Sequence, residues 1–175
     1  MRKLILLLAA FISVNAYAQF PVDSTTKKIT YTEVVTVTGA SKADLYARAK
    51  SLNGIQSSTL KDDKANGIYS YKGSFGVKYP APQVGMAHTG TVSYVVTIVS
   101  KDGKYKYTVT DLTHASDKGN GGALEGALPA CGKYTLTLSG WNNIKKQSQE
   151  KMNELVKAIK SAMAPGVSPA TSTDF

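Results

Sequence analysis

The residues with the widest chemical range in this chain are His88, His114, Asp111 and Cys131. Imidazole, carboxylate and thiolate together suit zinc or copper. Their spacing does not, because neither a His-Glu-x-x-His helix pair nor a Cys-x-x-Cys knuckle is present. Each histidine falls just outside an expected strand, in a loop where binding side chains are often carried. A Cys–His nucleophile requires a proximity that chain positions do not supply, and there is no Gly-x-Ser-x-Gly elbow. Paired carboxylates for acid–base work are also missing; most acids fall in turns or on helix surfaces. Gly126 to Lys133 superficially resembles a phosphate loop, but its glycines are spaced too widely and Tyr134 stands where a magnesium-binding hydroxyl belongs. No cofactor is expected. A metal-dependent or thiol hydrolase on His88, His114 and Cys131 is the enzymatic alternative; ordinary loop histidines are the plainer reading.

Charge narrows the partners. The 175 residues carry a formal charge of +9. Removing Arg2 and Lys3 with an export signal would leave eighteen lysines and one arginine, Arg48. Reading phosphates or base edges favours the planar, bidentate guanidinium over the strongly hydrated ammonium. Nucleic acid is therefore not an expected partner. Cys131 is the only cysteine, so no intramolecular disulfide forms, and a buried, inert thiol is expected.

The N-terminus has the pattern of an export signal. Arg2 and Lys3 precede an apolar stretch from Leu4 to Val14, and Ala16-Tyr17-Ala18 offers a small-x-small cleavage site. The stretch is too short to span a bilayer, which takes about 20 residues. Residues 1–18 are expected to be removed, making the product periplasmic or secreted. Residues 19–27 form an N-terminal extension, 28–164 a single domain and 165–175 a loose tail.

Hydrophobic periodicity supplies the elements. Lys28 to Thr38 alternates, with Ile29, Tyr31, Val35 and Val37 on one side. Ser41 and Asp44 make a capping box for a short helix carrying Leu45, Ala49 and Leu52, closed at Gly54. A weak strand at Gln56 to Leu60 leads through Asn66-Gly67 to a stronger one, Ile68 to Tyr79. There Gly73 and Gly76 mark a bulge or a close approach, and Pro80 and Pro82 stop the strand. Thr91 to Ser100 forms a hairpin through Asp102-Gly103 with the strand holding Tyr105, Tyr107 and Val109. Residues 113–140 are rich in glycine and long for a connection, which marks them as functional or mobile. Within them Leu124 and Leu128 sit at helical spacing, and Tyr134, Leu136 and Leu138 alternate. Asn142 or Asn143 is expected to cap a long helix whose apolar stripe runs Ile144, Ser148, Met152, Leu155, Ile159, Met163, ended by Pro165-Gly166.

The order implies an α+β fold. Two helices cover one face of a twisted antiparallel sheet and bury its tyrosine, valine and isoleucine stripe. Tyr69, Tyr71, Tyr79, Tyr94, Tyr105 and Tyr107 then form core, or line an apolar pocket if the helices leave a gap. Trp141 staples the last helix to the sheet or stacks on a sugar. The opposite face gathers Thr30, Thr32, Thr36, Lys72, Lys78, Thr91, Ser93, Thr97, Lys104, Lys106, Thr108 and Thr110.

Three motifs carry a resemblance: Gly67-Ile68-Tyr69-Ser70-Tyr71-Lys72-Gly73, Lys101-Asp102-Gly103-Lys104-Tyr105-Lys106-Tyr107, and Trp141 at the last helix. With the element order, they resemble a family of secreted bacterial domains of unknown function with a TATA-binding-protein-like fold. The resemblance covers about Lys28 to Met163 and implies fold and export. It implies no activity, and the fold's name does not import DNA binding. The function expected is a non-enzymatic envelope domain that binds a protein, glycan or small ligand. Lys72, Lys104, Lys106, His88, His114 and Trp141 are the candidate contacts, on the polar face or around the 113–140 loop. A carrier of small apolar ligands in the tyrosine-lined interior is a further alternative.

Overall fold

Six strands and two helices follow one another along residues 20–52, 58–81, 83 and 85–165, which the computed structural model describes. They are β1 (Tyr31–Thr36), α1 (Lys42–Ser51), β2 (Ser58–Asp63), β3 (Ile68–Pro80), β4 (Ala87–Lys101), β5 (Lys104–Ala115), β6 (Gly122–Ala123) and α2 (Leu138–Ala162). The expected export signal, the Gly54 helix closure, Gln56 and the tail beyond Pro165 lie outside the described residues. Among those described, no helix is long and apolar enough to cross a membrane.

The strands form one antiparallel sheet in the order β1-β5-β4-β3-β2, with β6 beside β5 beyond the end of β1. Local chemistry accounts for the joints. Ser41 caps α1 and Asp44 returns the bond, completing the capping box. Asp102, in the β4–β5 turn, accepts the Lys42 backbone N–H at 2.7 Å and ties the helix to the hairpin. Gly103 takes the positive φ of 73° that this turn needs. Gly73 is a close approach: a Cβ there would meet the Tyr94 ring at 2.5 Å.

Both helices pack on the face carrying the tyrosines. Tyr69, Ile98, Tyr107 and Glu33 lie opposite one another across β3, β4, β5 and β1. Leu45 and Ala49 of α1 and Ile144, Ser148, Met152 and Ile159 of α2 close over this side, all buried. Lys160 of α2 reaches across to Glu33, whose carboxylate also accepts the Tyr107 hydroxyl. These two bonds, Lys160 foremost, hold Glu33 below its usual pKa, and burial pushes Tyr107 up to about 12. The six-tyrosine stripe is core: five members are 1–3% exposed, and Tyr94 is half-buried against Phe75.

Three expectations need correction. First, α2 begins at Leu138 with Thr137 as its N-cap, not at Asn142 or Asn143, because the Thr137 hydroxyl accepts the Gly140 N–H. Second, Leu124–Leu128 is no helix and Tyr134–Leu138 no strand. Leu124 and Leu136 are buried, while Leu128, Tyr134 and Leu138 face water. Third, the long connection is part of the core. Leu124 N–H bonds Leu112 O, and Glu125 accepts the Ile29 N–H. Gly126 O receives both the Trp141 indole N–H and the Lys145 ammonium. Glycine enrichment here reflects tight packing, not freedom to move.

Candidate functional site: the open sheet face

The six candidate side chains divide between opposite faces of the sheet. On the helix side, β4 and β5 extend further than expected, so His88 and His114 lie inside strands. His114 is inward because the register shifts between Ser93 and Val95 of β4. Asp111 and Leu112 together oppose Tyr94, with Asp111 at φ 58°. The bulge reverses the alternation: Tyr105, Tyr107 and Val109 point inward before it, Leu112 and His114 after it. The Asp111 carboxylate is turned to Lys28 and forms an ion pair with it.

His114 is fully buried, edge-on to both Tyr79 and Trp141. Its Nδ1 accepts the Gly121 N–H at 3.2 Å, and Nε2 has no partner among the described residues. Two glycines make room for the ring. A Cβ at Gly90 would lie 2.3 Å from Nε2, and one at Gly121 2.5 Å from the Trp141 ring. Burial holds the imidazole below its ordinary pKa, so it is neutral. Trp141 is equally buried, with Lys145 over its ring at 5.3 Å. The expectation that His114 sits in a ligand-carrying loop therefore fails, and His114 and Trp141 serve as a packing joint under the long connection. His88 is half-buried beside Tyr79. Cys131 is half-buried rather than sealed, with Gly119 packed against its Sγ. Among the described residues no three His, Cys, Asp or Glu side chains gather as a metal set, so His88, His114 and Cys131 do not come together as the metal-dependent alternative would require.

The other face carries Lys72, Lys104 and Lys106, all exposed. Register orders it into rows. Thr32, Thr108, Thr97 and Ser70 lie directly opposite one another across β1, β5, β4 and β3. On the turn side of this row run Val34, Lys106, Val99 and Ile68; on the other side, Thr110, Val95 and Lys72. Lys101 and Lys104 face each other at the hairpin end. The hydroxyls bond along the row: Thr32 to Thr108 at 3.2 Å and Ser70 to Thr97 at 3.0 Å. The valines, Ile68 and Lys101 were not among the residues singled out from sequence. Lys101 was legible, since a two-residue turn sets it opposite Lys104. Val95 and Val99 were obscured by Val92, Val96 and Ile98, which make β4 apolar on both sides.

Comparison with known proteins agrees with this architecture. Residues 31–115 match the family model described as a domain of unknown function (DUF4468) with TBP-like fold. Two solved structures are similar in fold. A DUF4468 family protein from Bacteroides ovatus shares 15% identity over 85% of this chain and 92% of its own, with a TM-score of 0.63. A TBP-like protein from Parabacteroides distasonis shares 14% over 81% and 97%, with a TM-score of 0.54. No curated protein matches the sequence. The sheet with its short and long helices thus has a TBP-like fold, and its segment 31–115 is similar to the DUF4468 domains of unknown function.

Proposed function

We propose that this chain is an exported, non-catalytic binding module of a bacterial envelope, and that its open sheet face engages the partner. One observation carries the reading: both helices and the long connection close over a single face, leaving the opposite one uncovered and lysine-bearing. The signal-like N-terminus supports export. The 113–140 segment is not part of the binding surface proposed here, because Leu124 and Leu136 anchor it in the core beneath the helix-covered face.

The test immobilises the full chain and challenges it with an envelope extract of the source organism. Thr97→Arg with Thr108→Glu disrupts the centre of the face, and Lys146→Glu alters an exposed position on α2 as a control. Loss of the recovered component with the face variant alone, at unchanged melting temperature, is the expected result. Equal recovery by all three proteins refutes the assignment.

A further inference from the structure

The open face has a hydrogen-bonding polarity that follows from counting protons. A hydroxyl has one proton to donate and two lone pairs. Thr32 donates to Tyr107 O at 2.9 Å, Ser70 to Val96 O at 3.0 Å and Thr110 to Ile29 O at 3.1 Å; a carbonyl can only accept. With those protons committed, Thr108 must be the donor to Thr32, and Thr97 the donor to Ser70. All five hydroxyl protons are used within the sheet. Ser70 is buried, so toward solvent Thr32, Thr108 and Thr97 offer lone pairs only, and their complement is a ligand that brings O–H or N–H donors.

The flanks ask for the opposite. Lys72, Lys101, Lys104 and Lys106 are exposed and take part in none of the ion pairs among the described residues. Of the acids nearest in sequence or register, Asp102 in the turn between Lys101 and Lys104 accepts the Lys42 backbone N–H, and Glu33, Asp63 and Asp111 are paired with Lys160, Lys61 and Lys28. Lys106 precedes the row by two residues on β5, and Lys72 follows it by two on β3, so the two lysines bracket the acceptors diagonally. The face also lacks the Trp, Tyr and Arg anchors that dominate protein–protein interfaces, where lysine is depleted.

We infer that the partner of this face is an acidic polysaccharide, whose hydroxyls donate to Thr32, Thr108 and Thr97 of the row while its carboxylates meet the flanking lysines. The inference rests on the binding role proposed above and specifies its ligand class. A polyanion without O–H or N–H donors satisfies the lysines alone, and a neutral glycan the row alone.

Affinity electrophoresis and titration calorimetry on the purified chain test this with three probes: polygalacturonate, polyacrylate and dextran. Polygalacturonate should bind tightest, and weaken as NaCl rises from about 0.05 to 0.5 M, where screening shortens to a few ångströms. Replacing Lys72, Lys104 and Lys106 by Gln removes about threefold in affinity each, roughly thirtyfold together. Thr97→Val with Thr108→Val weakens polygalacturonate but leaves polyacrylate unchanged, a separation that general electrostatic attraction does not produce. Equal binding of polyacrylate and polygalacturonate, or binding of neither, overturns the inference. If the envelope component is still lost with the face variant, only the ligand class has failed; if it is not, the binding role has failed as well.

Discussion

Truncating Leu124 to Ala asks whether the 116–137 connection is structure or appendage. Leu124 is 1% exposed, and its backbone N–H bonds Leu112 O at 3.0 Å, so the side chain is held where the bulge in β5 turns Leu112 inward. Removing a buried leucine to the β-carbon costs about 2–5 kcal/mol, depending on how far the site collapses. In a domain of this size each kcal/mol lowers the melting temperature by about 2–4 °C, giving a drop of about 4–20 °C. Leu128, in the same connection but 56% exposed, is the control, and its truncation should stay within about 0.5 kcal/mol. The chain supplies its own reporter. Trp141 is the sole tryptophan, fully buried, and bonds Gly126 O in this connection. Its fluorescence should change in the same transition as far-ultraviolet circular dichroism. Two results would refute the reasoning: Leu124→Ala melting like Leu128→Ala, or tryptophan emission shifting in a separate, earlier step.

Two further outcomes follow from the joint around His114. Burial lowers its pKa, so between about pH 6.5 and its folded value the unfolded chain binds a proton that the native chain does not; stability is lost as the pH is lowered through that window. In His114→Gln the denaturation free energy should depend less on pH there; parallel profiles would be the contrary result. Gly90→Ala drives a methyl to 2.3 Å from His114 Nε2, against a ring wedged between Tyr79 and Trp141, and should lower stability by about 1–3 kcal/mol by urea titration. Gly76→Ala, meeting nothing nearer than 4.0 Å, should stay within about 0.5 kcal/mol, and equal effects at the two glycines would contradict the packing.

The polar face was legible because period-two alternation is a local property: Thr30, Thr32, Lys72, Lys104 and Lys106 sit opposite apolar neighbours within their own strands. The hydroxyl row was not, since its order depends on which residue of each strand meets which residue of the next. His114 was expected in a loop because the glycine-rich stretch from Thr113 reads as connection, whereas β5 runs on to Ala115. There alternation from Tyr105, Tyr107 and Val109 would turn position 114 outward, and one extra residue at Asp111 turns it inward. The only local trace is an aspartate in a strand, a residue that tolerates positive φ. The late start expected for α2 had a similar origin. Ser139 and Gly140 are weak helix formers, but a Thr137 hydroxyl cap and the buried Trp141 fix the first turn.

By itself, the amino-acid order determined the identity of the strands and helices, the capping box at Ser41 and Asp44, the apolar stripe of α2 and the surplus of lysine over arginine. These depend on residues within a turn or two of one another, where sterics and side-chain periodicity decide. Tertiary structure alone decided that the glycine-rich connection is core and that His114 and Trp141 pack together. It also turned the hydroxyls of Thr32, Thr108, Thr97 and Ser70 into a single row of acceptors. Each of these depends on register between strands distant in sequence, and one inserted residue moves every later side chain to the other face.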